Sequence, residues 1–277
     1  MKINIKLLNI IADDIEKYII TKITFNNFGK LHNDELINIH QKIFNKFNQS
    51  IDLNIICSVR STYMKESIIK HHHRLLKYST YIYDEYKLQN ILKLSSKLNL
   101  SPMTIIRFVF NKLYKQTLKY LINNDRLNTY DKQQYELASK NDIFVNLDQT
   151  DLSIESFKFE KLIEEYLIIN NIQYQTQEEL SRLQIIKYGR PINTPDFVIK
   201  SKLIINNNKI NWIDAKNFYG SNNKFIKNKI NKQIEKYINK YGSGCIIFNY
   251  GFNSKLQFNN VLILDYQSLK NWIRPMS

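Results

Sequence analysis

The sequence predicts an α+β protein in two parts, an all-helical N-terminal half and an α/β sandwich in the C-terminal half. Three observations predict it. In the first half, apolar residues recur at three- and four-residue spacing, the period of a helix face. In the second half they gather in short blocks separated by Asn and Gly turns, the texture of strands. The order across residues 154–264 is helix, strand, hairpin, helix, strand, an αβββαβ run that lays helices on a central sheet.

In the first half, Leu36, Ile39, Ile43, Phe44 and Phe47 make one apolar stripe, and Ile91, Leu92, Leu94 and Leu98 make another. Asn99-Leu100-Ser101-Pro102 punctuates the chain: Ser101 can cap the next helix and Pro102 suits its first turn. That helix is expected to turn Ile105, Ile106, Phe108, Val109 and Leu113 inward and to show Arg107, Lys112 and Lys115 outward. Two helices joined by a short turn, the second one basic, look like a helix-turn-helix, although any helical bundle contains such pairs. Residues 119–149 are polar, with breaks at Asn123-Asn124-Asp125 and Asn141-Asp142. A boundary near Asn146 divides a helical domain, residues 1–145, from a second domain, residues 146–277.

In the second half, residues 154–169 read as helix and Ile172-Gln173-Tyr174-Gln175 as a short alternating stretch. Asp196-Phe197-Val198-Ile199 and Leu203-Ile204-Ile205 read as strand. Asn206-Asn207-Asn208 is a turn, because Asn adopts left-handed backbone at little cost, and residues 209–216 return as the other arm of a hairpin. Residues 224–240 form a basic helix ended by Gly242-Ser243-Gly244, and Cys245 to Tyr250 and Val261 to Leu264 are buried strands.

Composition narrows the function. The 277 residues carry a formal net charge of +15, with a pI near 9.5, which favours polyanionic partners: Lys and Arg neutralise phosphates and release counterions. An AT-rich genome would also fill a chain with Asn, Ile and Lys. Cys57 and Cys245 are far apart and outside any metal-ligand spacing, so free thiols in a reducing compartment are expected. No apolar run approaches the roughly 20 residues of a membrane span, and the expectation is a soluble intracellular protein with no membrane partner.

The chemistry gathers at Thr194-Pro195-Asp196-Phe197 and Trp212-Ile213-Asp214-Ala215-Lys216. Side chains alternate along a strand, so Asp214 and Lys216 share a face. The hairpin is expected to carry Asp196 beside them. Two carboxylates can hold Mg²⁺ (or Mn²⁺), hard cations that take oxygen ligands. Lys216 can orient an attacking water or neutralise charge in the transition state. Read structurally, Pro195-Asp196 only starts a strand and Asp214 and Lys216 form an exposed salt bridge. Glu160, in the preceding helix, can reach the metal from above or remain a solvated helix charge. Gln233 and Tyr237, four apart on the basic helix, can position a phosphate or be polar residues at the edge of the core. Lys229, Lys232 and Lys236 fall on one side of that helix and can follow a phosphate backbone or simply be solvated.

Glu160, Pro195-Asp196, Asp214-Ala215-Lys216 and Gln233-x-x-x-Tyr237 together resemble the PD-(D/E)xK nuclease superfamily, the last element being similar to the QxxxY signature of its RecB-like and Holliday-resolvase-like branches. More closely, the Thr-Pro-Asp motif, the Trp212 to Lys216 block and the stretch from Tyr241-Gly242-Ser243-Gly244 to Tyr250-Gly251-Phe252 resemble the codanin-interacting nuclease family. The match is most specific from Phe159 to Phe252 and looser around Leu94 to Leu113. The resemblance implies a restriction-endonuclease-like domain behind a helical nucleic-acid-binding domain. It implies Asp196, Asp214 and Lys216 as the catalytic core, assisted by Glu160 and Gln233, with metal on Asp196, Asp214 and Glu160. It also implies a nucleic-acid substrate with DNA favoured, a nuclear or nucleocytoplasmic location and a codanin-like scaffold partner. Resolvase-like relatives are often dimers, which leaves a homodimer open. Human-type members carry Glu where this chain has Asp214; the superfamily uses both.

His71-His72-His73 cannot converge on one ion, since consecutive helical residues point about 100° apart, and a solvated basic run is expected there. Tyr78, Tyr81, Tyr83 and Tyr86 can stack on bases or pack in a core.

Overall fold

Polar residues that start helices set out the N-terminal architecture. In the computed structural model, which describes residues 1–23, 27–145 and 149–273, Asn90, Ser101, Thr117 and Asn128 each accept a hydrogen bond from a backbone amide two or three residues into the helix that follows. Such caps are worth about 1 kcal/mol each. The chain is mixed α+β and divides into two units, Met1–Tyr18 with Asn54–Val59 and Thr150–Ser277, and Ile19–Leu53 with Arg60–Gln149. The expected boundary at Asn146 lies outside the described residues. Among the described residues no helix is long and apolar enough to cross a membrane.

The helical unit contains Asn33–Phe47, most of Leu53–His71, and then His73–Lys77, Ser79–Leu88, Ile91–Leu98, Pro102–Tyr114, Leu118–Asn123 and Thr129–Lys140. Leu36, Ile39 and Ile43 are buried as their spacing requires, whereas Phe44 is exposed. Ile91–Leu98 and Pro102–Tyr114 are joined by a tight turn through Asn99, which is left-handed at φ 50°. Ile105, Ile106 and Val109 are fully buried, and Arg107, Lys112 and Lys115 are exposed, as expected. Leu113, expected inward, is 49% exposed, because the helix's last turn runs past the core.

A DNA-docking helix pair reads bases with the first residues of its second helix. Here Pro102 to Ile106 are all buried, and Asp142 closes the helix start by accepting from Ser101 Oγ and Met103 N. Lys112 lies 3.8 Å from the Tyr83 ring centroid. The pair is therefore packed as bundle core. Tyr86 is buried and Tyr83 stacks on Phe108, so two of the four tyrosines are packing residues.

In the other unit the main sheet has five strands. In spatial order they are Val261–Asp265, Gly244–Phe248, Trp212–Lys216, Phe197–Ile199 and Tyr174–Thr176. The first three run parallel, and the last two join antiparallel. One face packs Phe197, Ile213, Cys245, Ile247 and Leu264 against Phe159, Ile163 and Leu167 of the helix Gln149–Ile169. The other packs Trp212, Ile246, Phe248 and Ile263 against Ile230, Ile234 and Tyr237 of the helix Lys224–Tyr241. The apolar runs are unbroken because these strands are covered on both faces. Gly244 is required by this packing: a Cβ there would sit 2.1 Å from the Trp212 indole.

The hairpin differs from the sequence expectation. Asn206 and Asn207 are left-handed, at φ 49° and 63°, and turn Ile204–Ile205 onto Asn208–Lys209. That pair belongs to a separate small sheet, completed by Lys2–Ile3. The returning arm breaks at Ile210-Asn211, and only Trp212–Lys216 enters the main sheet. The N-terminal segment is woven into this unit again where Ile10–Ile11 pairs with Phe252–Asn253. A twelve-residue helix, Gln177–Tyr188, stands between the strands Tyr174–Thr176 and Phe197–Ile199 where no element was expected.

Candidate active site

The strands Phe197–Ile199 and Trp212–Lys216 pair only over Phe197 with Ile213 and Val198 with Trp212, then part. Asp196 and Asp214 stand where they part, one residue beyond the last paired positions. Asp196 Oδ2 accepts from Ala215 N at 2.6 Å, so a carboxylate replaces the next rung of the ladder. The Asn turn is thus not what brings Asp196 to Asp214; the antiparallel register does.

Alternation puts Asp214 and Lys216 on the face that meets the helix Lys224–Tyr241. The Lys216 ammonium is in ion-pair contact with Asp214 Oδ2 and donates to Gln233 Oε1 at 3.0 Å. Gln233 Nε2 lies 3.4 Å from Asp214 Oδ1 and 2.9 Å from the Tyr237 hydroxyl. Tyr237 donates to Thr194 O at 3.3 Å, and its ring meets Trp212 edge-on, 5.3 Å between centroids. Trp212 Nε1 donates to Gly242 O at 2.8 Å, which ties the start of the strand to the end of the helix. Asp196, Asp214, Lys216, Gln233 and Tyr237 are therefore one connected site.

Glu160 approaches from the helix on the opposite face. Burial, then the charge of Asp214, raises its carboxyl above the usual range, with Lys216 and Lys161 opposing. Asp196 is held well above its ordinary value by burial and the Asp214 charge, against the opposing pull of Lys216 and the Ala215 amide. Asp214 is 1% exposed, and its Oδ2 accepts no hydrogen bond beyond the ion pair. The donor set is thus oxygen-rich, crowded with like charge and short of hydrogen-bond donors, which suits a hard divalent cation in its chemistry. Among the described residues, however, no three His, Cys, Asp or Glu side chains stand close enough together to hold a metal ion. This includes Glu160 with the two aspartates, and also the His71 to His73 run.

Two clefts flank the site. One, of about 300 Å³, is lined by Ile192, Thr194, Lys229, Lys232, Gln233, Lys236 and Tyr237. The other, of about 170 Å³, is lined by Glu160, Lys161, Glu164, Glu178 and Asp196, with Thr176, Gln177 and two phenylalanines.

Several residues that shape the site escaped the sequence reading. Gln184, 5% exposed, accepts from Ile192 N at 2.7 Å and Asn193 N at 3.0 Å and donates to Asn193 O at 2.7 Å. Tyr241 donates to the same carbonyl at 3.0 Å. The segment entering Thr194-Pro195-Asp196 is clamped from both sides. The helix that bears Gln184 was signalled in the sequence: Thr176 and Glu179 form a capping box, and Gly189 ends the helix at φ 72°. Glu16 was also missed. It accepts from the Tyr219 and Ser221 hydroxyls and from Asn253 Nδ2, and so pins the loop that leaves Lys216.

Fold and site define a mixed α+β protein whose central sheet presents a carboxylate–lysine–glutamine cluster between two clefts. The chain belongs to the family described as "Protein of unknown function TPD sequence-motif", whose sequence model matches residues 126–267. Thr194-Pro195-Asp196 lies inside the match, which agrees with the family resemblance read from the sequence. The chain is 33% identical over 125 residues to uncharacterized protein L539 of Acanthamoeba polyphaga mimivirus, covering 44% of each chain. It is 26% identical over 106 residues to CDAN1-interacting nuclease 1 of Mus musculus, covering 37% of this chain and 34% of that one. The chain spans less than half the length of both relatives. No solved structure matches it significantly.

Proposed function

We propose that this protein is a metal-dependent nuclease that hydrolyses phosphodiester bonds of nucleic acid, with DNA the favoured substrate. The observation that carries the reading is the convergence of Asp196, Asp214, Lys216 and Gln233 at the parting of two strands. The name of the mouse relative supports the same activity. So does the order of helix, three strands, helix and strand around that point, the arrangement implied by a restriction-endonuclease-like PD-(D/E)xK domain, with Gln177–Tyr188 as an insertion.

In this reading Asp196 and Asp214 hold Mg²⁺ or Mn²⁺, with Glu160 completing the set after a side-chain adjustment. A bound divalent cation supplies charge neutralisation at the phosphoryl oxygens and acidifies water. The residues of the chain do the rest. Lys216 turns its ammonium from Asp214 toward the charge that builds on the phosphate. Gln233 holds Lys216 in place, and Tyr237 orients Gln233. The clamp of Gln184 and Tyr241 keeps Asp196 in register with Ala215.

A second reading, a nuclease-like protein that binds nucleic acid or a scaffold without cutting, is favoured by one observation: the Lys216 ammonium occupies Asp214, and no three-ligand cluster is preformed among the described residues. A codanin-like partner belongs equally to this reading and the first. A cleavage panel of single-stranded, duplex, flap and four-way substrates with Mg²⁺ or Mn²⁺ separates the two. The nuclease reading expects metal-dependent products that vanish with EDTA; binding without cleavage of any substrate would establish the second reading instead.

A further inference from the structure

The two clefts beside the site have opposite character, and both lie in the same unit. The larger presents Lys229, Lys232 and Lys236. All three are exposed, and among the described residues none is engaged in an ion pair or side-chain hydrogen bond. The Thr194 side chain stands at the same wall. This cleft offers free cations to successive phosphates.

The smaller cleft offers none. Its acids are Glu160, Glu164, Glu178 and Asp196, and its one lysine, Lys161, is held on Glu164 at 2.5 Å. A helix N-terminus opens onto this side, which would ordinarily attract a phosphate. Two of its leading amides are taken: Gln177 N donates to Asp196 O at 2.9 Å and Glu179 N to Thr176 Oγ1 at 3.3 Å. Glu178 and Glu179 add negative charge to the same turn. A cation among Asp196, Asp214 and Glu160 would offset part of this charge but would leave Glu178 and the occupied amides unchanged.

A strand threaded through the site must lay phosphates in both clefts. A strand that ends at the site needs only the lysine cleft. We propose, on the basis of the nuclease reading, that the enzyme acts at strand ends: it binds the polymer through the lysine cleft and releases a short terminal piece on the acidic side. In the step, water gives up a proton as its oxygen bonds to phosphorus, the bond from phosphorus to the leaving sugar oxygen breaks, and that oxygen takes up one proton in exchange, leaving a phosphate monoester and a free hydroxyl. The substrate class is therefore linear nucleic acid with a free terminus.

The test uses one oligonucleotide sequence in linear and covalently closed circular form, each as DNA and as RNA, with the full chain and Mg²⁺ or Mn²⁺. The expected result is loss of the linear form, with mono- or dinucleotide products from the outset, at least about tenfold faster than the circle. Comparable cleavage of the circle, or internal fragments as first products, would overturn the strand-end proposal and leave the nuclease reading standing. If neither form is cut under any condition, the nuclease reading itself fails and takes the proposal with it.

Discussion

Asp131 and Asp142 in the helical unit and Asp196 and Asp214 in the α/β unit form two aspartate pairs that are built in opposite ways. In the helical unit, Asp131 accepts from the hydroxyls of Tyr86 and Tyr114 and from Asn128 Nδ2. Asp142 accepts from Ser101 Oγ and the amides of Met103, Phe144 and Val145. In the α/β unit, Asp196 has one amide donor and faces Asp214, while Asp214 is held by a lysine and a long contact from Gln233. A carboxylate supplied with donors holds a fold together. A carboxylate short of donors and next to another one costs stability, and such costs concentrate where a site does chemistry.

The comparison can be broken by mutation. The largest effect is expected at Lys216. Lys216→Ala should lower cleavage on the order of 1000-fold, because the charge that meets the developing phosphate is removed. Single-turnover assays at saturating metal would show it, and a loss of less than tenfold would place Lys216 outside the chemistry. Next comes Asp142→Ala in the helical unit. It strands buried amides and should cost about 3 kcal/mol in urea unfolding, with intrinsic cleavage of the folded fraction unchanged. A stability cost at Asp142 no greater than that at Asp196 would erase the contrast between the two pairs.

Smaller effects sharpen it. Gln184→Ala releases the segment before Thr194 and should slow cleavage about tenfold, mainly in the catalytic step, since misplacement of reacting groups is penalised there. Gln184→Glu cannot donate to Asn193 O and should not restore the rate. The smallest effect concerns pH in metal-free protein. The folded state holds the Asp196 proton more tightly than the unfolded chain does. Its contribution is therefore complete below the ordinary aspartate range and is lost as pH rises through the raised folded value. Asp196→Asn should remove that decline and leave the EDTA-treated protein about 1 kcal/mol more stable at neutral pH than the wild type. Identical stability–pH curves for the two proteins would show that Asp196 carries no such penalty.

Much of this contrast was legible in the sequence on the functional side. Strand alternation joins Asp214 to Lys216, and the four-residue step joins Gln233 to Tyr237; both are local rules. The Asn206-Asn207 turn was also legible, but its destination was not. Whether residues 208–209 pair within the main sheet or with Lys2–Ile3 depends on a partner about two hundred residues away. The same distance hid Glu16, whose partners Tyr219, Ser221 and Asn253 come from the other end of the chain. Gln177–Tyr188 was hidden differently. Its apolar residues Leu183, Ile185 and Ile186 are exposed, so it lacks the one-sided stripe that marks a buried helix, and only its capping box and final glycine announced it. The helix-turn-helix expectation met a related limit: spacing shows which residues are apolar, not how many faces of a helix the bundle covers, and here the first turn of the second helix is buried.

The most direct measurement places the two properties of one residue side by side: metal-dependent cleavage of a linear substrate by Asp214→Ala and by the wild type, with urea unfolding of both proteins from the same preparations. The account predicts metal-dependent cleavage by the wild type, none detectable by the variant, and a variant at least as stable as its parent. Cleavage by Asp214→Ala at the wild-type rate, or a variant that unfolds outright, would contradict it.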